Sequence, residues 1–104
     1  MSHEIETAWI GRANEVRREL TKNGAELSSA EKTSVSKVEV RVSRFTVDTA
    51  TKPEVVSYAN GVVSIRFGRI SGLEPGTHRV TLIAFDPTAP EGYNWGFFTV
   101  NVMR

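Results

Sequence analysis

The sequence predicts an all-β fold, an antiparallel β-sandwich of seven or eight short strands. Apolar and polar residues alternate over several short runs, and this period of two is typical of strands with one buried face. Turn-forming pairs with Gly, Pro or Asn recur about every 8–12 residues, a spacing found in sandwiches and barrels. The length of 104 residues suits one domain. We therefore expect 1–104 to form a single sandwich, with 1–6 as a flexible tail.

Composition limits the classes of function. The chain has no cysteine, which excludes disulfides, thiolate chemistry and zinc–cysteine sites. Its net charge of +1 gives no general attraction for nucleic acid, so no nucleic-acid partner is expected. No apolar run approaches the roughly 18 residues of a membrane helix. The acidic, polar N-terminus is also unlike a signal peptide. We therefore expect no membrane contact, and synthesis in the cytoplasm.

The first quarter of the chain holds one clear strand and one ambiguous segment. Thr7–Ile10 is short and apolar and is predicted to be an edge strand. Asn14–Leu27 fits a helix in which Val16 and Leu20 lie one turn apart. It also fits two strands joined by a type I′ turn at Asn23-Gly24, the strongest short-range hairpin signal. We favour the hairpin, because a helix of two turns gains little stability alone.

The middle of the chain contains the clearest half-buried strand. Val38, Val40 and Val42 alternate with polar residues, and we expect this strand to continue through Phe45 and Val47. The neighbouring segments are interpreted as a polar loop at 28–34, a turn-rich link at 48–53, and short strands at 55–58 and 63–67 around an Asn60-Gly61 turn.

The last third of the chain is predicted to hold two strands. Pro75-Gly76 marks a turn, and it leads into a strand whose alternate residues from Val80 to Ala84 face the core. Segment 87–92 is interpreted as a loop, and Trp95–Val102 as the last strand. The first strand and residues 99–102 are expected to be unpaired edges, which could add a strand from a neighbouring protein.

The chain offers little for catalysis. Its two histidines are His3, in the expected tail, and His78, at the corner before a strand. We expect His78 to hydrogen-bond the turn backbone, because no nucleophile lies beside it in the sequence. Asp86 and Glu91 flank one loop and could share a cation, but capping the turn before Pro87 is the favoured role of Asp86. The prediction is a protein that is not an enzyme, with no catalytic residue, no bound metal and no cofactor.

Basic residues admit two interpretations. Four arginines are expected at outward strand positions, where they could form a phosphate-binding face. Glutamates interleave with them, and cross-strand ion pairs account for them equally well. The four are Arg41, Arg44, Arg66 and Arg69.

The best candidates for recognition are aromatic. Tyr93, Asn94 and Trp95 place aromatic rings with polar tips at an expected loop apex, a combination favoured at interfaces. The same rings could stack on a sugar. Trp9 is a fourth candidate. For Trp95 the favoured interpretation is packing into the core, where the ring would cover one end of the sandwich.

The layout from Trp9 to Val102 resembles immunoglobulin-like and fibronectin-type domains. The run Leu73-Glu-Pro-Gly-Thr77 looks like the corner between the fifth and sixth strands of those sandwiches, although their usual tyrosine is absent there. The opening Trp9-Ile-Gly-Arg12 and the terminal Gly-x-x-Trp-Gly-x-Phe-x-Val are similar to small immunoglobulin-like proteins of tailed bacteriophages and prophages.

This resemblance implies a structural or adhesive domain on a tail, baseplate or capsid surface that acts through protein–protein contacts. Its partners would be other virion proteins or further copies of itself, and its final location would be the virion. The alternative is a carbohydrate- or cell-surface-binding module that uses the aromatic segment for stacking. Fold alone does not decide between them.

Overall fold

The computed structural model describes residues 5–12, 14–22 and 25–104. These residues form ten strands, one short α-helix and one 3₁₀ turn. In chain order they are β1 (Ile5–Trp9), β2 (Val16–Glu19), β3 (Thr21–Lys22), β4 (Ala25–Glu26), α1 (Ser29–Ser34), β5 (Lys37–Val42), β6 (Phe45–Asp48), β7 (Val56–Ala59), β8 (Val62–Ile65), the 3₁₀ turn (Phe67–Arg69), β9 (Gly76–Asp86) and β10 (Ala89–Met103).

Most strands lie in two sheets. The larger has the order β1-β10-β9-β5-β6 and the smaller the order β2-β8-β7, while β3 and β4 form a separate ribbon. The triplets β2-β8-β7 and β10-β9-β5 correspond to strands B-E-D and G-F-C of an immunoglobulin sandwich. The predicted fold class is therefore confirmed. One pair departs from the antiparallel pattern, because β1 runs parallel to β10.

Alternate residues of the strands fill the core, as the period of two predicts. Val40 on β5, Val80 on β9 and Val100 on β10 are fully buried on the inner face of the larger sheet. Phe67 and Phe98 meet edge to face, with ring centroids 6.3 Å apart. Apolar burial of this kind contributes roughly 25 cal/mol per Å² removed from water. The core therefore fixes the positions of the strands that carry the candidate site.

Segment 28–34 is helical, so the expectation of a polar loop is wrong. The Ser28 hydroxyl accepts a hydrogen bond from the Glu31 backbone N–H at 3.2 Å. The Ser28 N–H in turn donates to the Glu31 carboxylate at 3.0 Å. This capping box begins α1. No helix in the described ranges is long and apolar enough to cross a membrane.

The strand that begins at Lys37 ends at Val42, so the expected continuation through Val47 is wrong. Ser43 adopts a φ of 54°, and the chain folds back there. Val42 then pairs with Phe45 across an antiparallel hairpin. Both arms of this hairpin are apolar at alternate positions, so their pattern resembles one long strand in the sequence.

Hairpins are predicted at two Asn-Gly pairs. Asn60 and Gly61 have φ values of 48° and 86°, as a type I′ turn requires. The favoured hairpin in 14–27 is confirmed, since β3 and β4 pair with Thr21 opposite Glu26. Its turn at Asn23-Gly24 lies outside the described residues.

The C-terminal strands are longer than predicted. β9 and β10 are joined at Pro87-Thr88, so 87–92 is largely strand rather than loop. Residues 99–102 pair with β9 on one side and β1 on the other. The expectation of an unpaired edge there is wrong. The edge position of Thr7–Ile10 is confirmed for β1, which begins at Ile5; residues 1–4 of the expected tail lie outside the described residues.

Candidate functional site

Irregular pairing between β9 and β10 positions the predicted aromatic residues. The register shifts between Ala89 and Tyr93 and again between Asn94 and Gly96. Trp95 is the unpaired residue of the second shift, which is a β-bulge. The Asn94 side-chain oxygen accepts a hydrogen bond from the Gly96 N–H at 3.0 Å and holds this bulge. Tyr93, Asn94 and Trp95 therefore lie within a strand, so the expectation of a loop apex is wrong.

A glycine allows the first shift. Gly92 has a φ of 86°, a conformation that favours glycine. A Cβ atom there would lie 2.6 Å from the Ile83 side chain and 2.9 Å from the Phe85 ring. The backbone of β10 thus lies directly on two side chains of β9. This close approach fixes where the chain enters the aromatic segment.

The two aromatic residues have different degrees of burial. Tyr93 is 46% exposed, whereas Trp95 is half-buried and packs against the core. This placement of Trp95 agrees with the favoured core interpretation. The rings of Tyr93 and Trp95 lie with centroids 6.4 Å apart and planes inclined by 63°. They form a notch rather than a flat platform.

The notch opens into a cleft of about 260 Å³. One wall is α1 with the residue that follows it, and the other is the end of β9 with the aromatic part of β10. The described residues that line the cleft are Glu31, Ser34, Val35, Ala84, Phe85, Asp86, Tyr93, Asn94 and Trp95. The α1 wall was not predicted from the sequence, although the Ser28-x-x-Glu31 capping box was a signal for it.

Tyr58 on β7 anchors α1 against the sandwich. Its hydroxyl donates to the Lys32 carbonyl oxygen at 2.6 Å. This carbonyl is near the end of α1, where no later helical N–H is present to pair with it. Burial raises the pKa of the Tyr58 phenol above its ordinary value. Lys32 also pairs with Glu26 at 2.7 Å, and this hydrogen bond lowers the pKa of the Glu26 carboxyl.

Asp86 is at the rim of the cleft and caps the β9–β10 turn. Its Oδ1 accepts from the Thr88 N–H at 2.8 Å and from the Thr88 hydroxyl at 2.7 Å. The favoured role as a turn cap is confirmed. No group of three or more His, Asp or Glu side chains that could hold a metal ion occurs in the described ranges.

His78 has the predicted corner role. Its Nε2 lies 2.8 Å from the Glu74 carbonyl oxygen, within the turn that precedes β9. This bond ties the start of the strand to the corner. His3 lies outside the described residues.

The four arginines do not share one face. Arg41 lies on β5 of the larger sheet, while Arg66 lies beside β8 of the smaller sheet. Arg41 pairs with Glu39 at 2.8 Å, and Arg66 pairs with Glu15. Arg44 stacks on a phenylalanine ring, and Arg69 donates to a backbone carbonyl. Arg41 and Glu39 lie on the same strand, so among these four arginines the cross-strand interpretation fits Arg66 alone. The arrangement gives no single phosphate-binding face.

Trp9 belongs to a different surface. It is opposite Met103 in the register of β1 and β10, ten strand residues away from Tyr93. At about 3.3 Å per residue this separation is roughly 33 Å along the strand. Trp9, Ile10 and Met103 are 43%, 36% and 37% exposed and form what we call the edge cluster. The four residues predicted from the sequence therefore lie in two places.

Comparisons with known proteins add little to this geometry. No family model and no curated protein matches the chain. A solved structure that it resembles is that of the fibronectin(III)-like modules of Clostridium thermocellum CbhA. The TM-score is 0.43 and the sequence identity 10%, over 99% of this chain and 88% of that chain.

Proposed function

We propose that this protein is a non-catalytic interaction domain that assembles with protein partners through the β1 edge of its larger sheet. The observation that carries the proposal is the edge cluster. Trp9 and Met103 are neighbours across β1 and β10, and the Ile10 N–H donates to the Met103 carbonyl at 2.8 Å. Three exposed apolar side chains are thus grouped at one strand edge, and such groups mark interaction surfaces.

The position of β1 adds a second reason. No described strand pairs with β1 on the side away from β10. An edge strand presents backbone N–H and C=O groups that can pair with another chain. Backbone pairing would supply affinity, and the apolar side chains beside it would supply selectivity. Partners of the domain are then other proteins or further copies of itself.

We propose that this assembly forms on a tailed phage or prophage particle. The support for that placement is the similarity of the short opening and terminal motifs to phage immunoglobulin-like proteins. A particle component would act through repeated, symmetric contacts. The free side of β1 can pair with one neighbouring protein in each copy of the domain, and such a contact suits this role.

Light scattering on a gel-filtration column, over a range of concentrations, tests the assembly. We expect a closed oligomer for the wild-type chain and a shift towards monomer for Trp9→Gln. Phe97→Gln is the matched control, because Phe97 is 63% exposed on the same strand as Met103 but outside the edge cluster. Monomers at every concentration would contradict assembly through copies of the chain.

A carbohydrate-binding module is the second candidate, and the exposed ring of Tyr93 favours it. The inclination of 63° between Tyr93 and Trp95 leaves no shared flat platform, so a sugar could stack on Tyr93 alone. Saturable quenching of tryptophan fluorescence by glycans would support this candidate. Absence of quenching would exclude stacking beside Trp95.

A further inference from the structure

We propose that the cleft between α1 and the β9–β10 hairpin binds a lysine or arginine side chain of a partner protein. The inference specifies partner chemistry for an interaction domain, but its site is separate from the edge cluster. The cleft of about 260 Å³ is near the small end of ligand pockets. It suits one side chain rather than a drug-sized ligand.

The aromatic walls favour a cation with an apolar stem. Tyr93 and Trp95 present two inclined rings with centroids 6.4 Å apart. A cation within about 6 Å of such a ring is attracted by its negative face, most strongly for Trp. Lysine and arginine side chains place an apolar stem along apolar walls while the charged head reaches polar groups.

The same chain already stacks cations on aromatic rings. Arg79 lies 3.8 Å from the Phe97 ring centroid, and Arg18 lies 4.6 Å from that of Phe98. Lys37 lies 4.3 Å from the Phe85 ring centroid, and it is not among the residues that line the cleft. Tryptophan is the strongest partner of this kind, so Trp95 offers a stronger one than these phenylalanines.

Charge complementarity comes from Asp86. Both described hydrogen bonds to this carboxylate come from Thr88 and end on Oδ1. Thr88 is neutral, so these bonds fix the carboxylate in place without cancelling its charge. Glu31 also lines the cleft, and it accepts the Ser28 N–H. The described lining residues include no lysine or arginine.

Nuclear magnetic resonance can follow binding at the cleft directly. The chain has two tryptophans, so a ¹⁵N-labelled sample gives two indole N–H signals, and Trp9 serves as the control for Trp95. The probe is N-acetyl-lysine N-methylamide, and the matched neutral probe is N-acetyl-norleucine N-methylamide. We expect the lysine probe to shift the Trp95 signal saturably at millimolar concentration. The norleucine probe should bind at least about threefold more weakly.

Two variants assign the effect to the proposed groups. Asp86→Asn keeps an oxygen for the Thr88 bonds and removes the charge, so it should weaken binding of the lysine probe about threefold and leave binding of the norleucine probe unchanged. Tyr93→Leu keeps an apolar wall and removes one aromatic ring, so it should also weaken binding of the lysine probe. Retained dispersion of the amide spectrum shows that each variant is folded.

Three outcomes would overturn the inference. Equal affinity for both probes would make the cleft a neutral apolar pocket. A Trp95 shift with methyl β-glucopyranoside but not with the lysine probe would identify a carbohydrate site. A Trp95 signal that no probe moves would exclude ligand binding there. Repeating the titration on Trp9→Gln separates this result from failure of the edge assembly, because that variant leaves the cleft intact.

Discussion

The hydroxyl of Tyr58 supports one wall of the cleft, helix α1, from strand β7 of the smaller sheet. It donates to the Lys32 carbonyl oxygen at 2.6 Å, and so it holds α1 against β7. Tyr58→Phe removes the hydroxyl that makes this bond and keeps the ring that packs against the core. Tyr58 does not line the cleft, so the substitution perturbs the support of the α1 wall and changes no lining residue.

The magnitude follows from the environment of the bond. A neutral intramolecular hydrogen bond contributes roughly 0.5–1.5 kcal/mol net. The phenol is half-buried, so water replaces it in part, and we expect a loss of about 1 kcal/mol in the free energy of unfolding. For a domain near 100 residues this loss corresponds to a decrease of about 4 °C in Tm.

Guanidinium unfolding and thermal unfolding measure the effect, with an unchanged m-value as the test of a simple stability change. Tyr93→Phe is the matched control. The Tyr93 hydroxyl is exposed, and its contact with the Thr88 hydroxyl is long, at 3.4 Å. We expect no measurable loss for the control. Equal stabilities of the two variants would refute the view that Tyr58 anchors α1.

Two further predictions concern stability. Gly68→Ala should destabilise the fold by about 1–3 kcal/mol, because a Cβ atom there would lie 2.2 Å from the Trp9 carbonyl oxygen; denaturant unfolding checks it, and a wild-type midpoint would contradict the close approach. The hydrogen bond from the Thr51 N–H, at 2.7 Å, is the largest cause that lowers the pKa of Asp48 below its ordinary value. The folded state therefore binds this proton less readily than the unfolded state, so its stabilising contribution is present above a pH of about 3.9 and is lost as the pH falls through the folded value. Asp48→Asn should flatten the acid side of the stability profile, and an unchanged profile would show that Asp48 does not contribute.

Much of the fold could be predicted because local patterns and tertiary packing agree. The alternating valines of β5 are buried, and the Asn60-Gly61 turn has the φ values that its residues favour. The predictions were wrong where one local sequence pattern fits two different secondary structures. The apolar alternation stops at Val42 and resumes at Phe45, shifted by one residue, so two arms of a hairpin were interpreted as one strand. Helix α1 has no buried residue, so it shows no apolar period and only its capping box indicated it.

The candidate residues were identified by type, but their grouping was not. Aromatic side chains with polar tips indicated Tyr93, Trp95 and Trp9, and the first two do line one cleft. The parallel pairing of β1 with β10 places Trp9 roughly 33 Å away, beside Met103. No local signal encodes that pairing, because parallel neighbours are brought together by the sandwich rather than by a turn.

The sequence by itself determined that this chain forms a sandwich with a valine-rich core, since strand period and turn chemistry depend on neighbouring residues. The tertiary structure alone decided which surfaces exist. A helix from the middle of the chain and a bulge near its end meet to form the cleft, and the two ends of the chain meet to form the edge cluster. Both surfaces join residues that are distant in sequence, and only burial of the shared core brings them together.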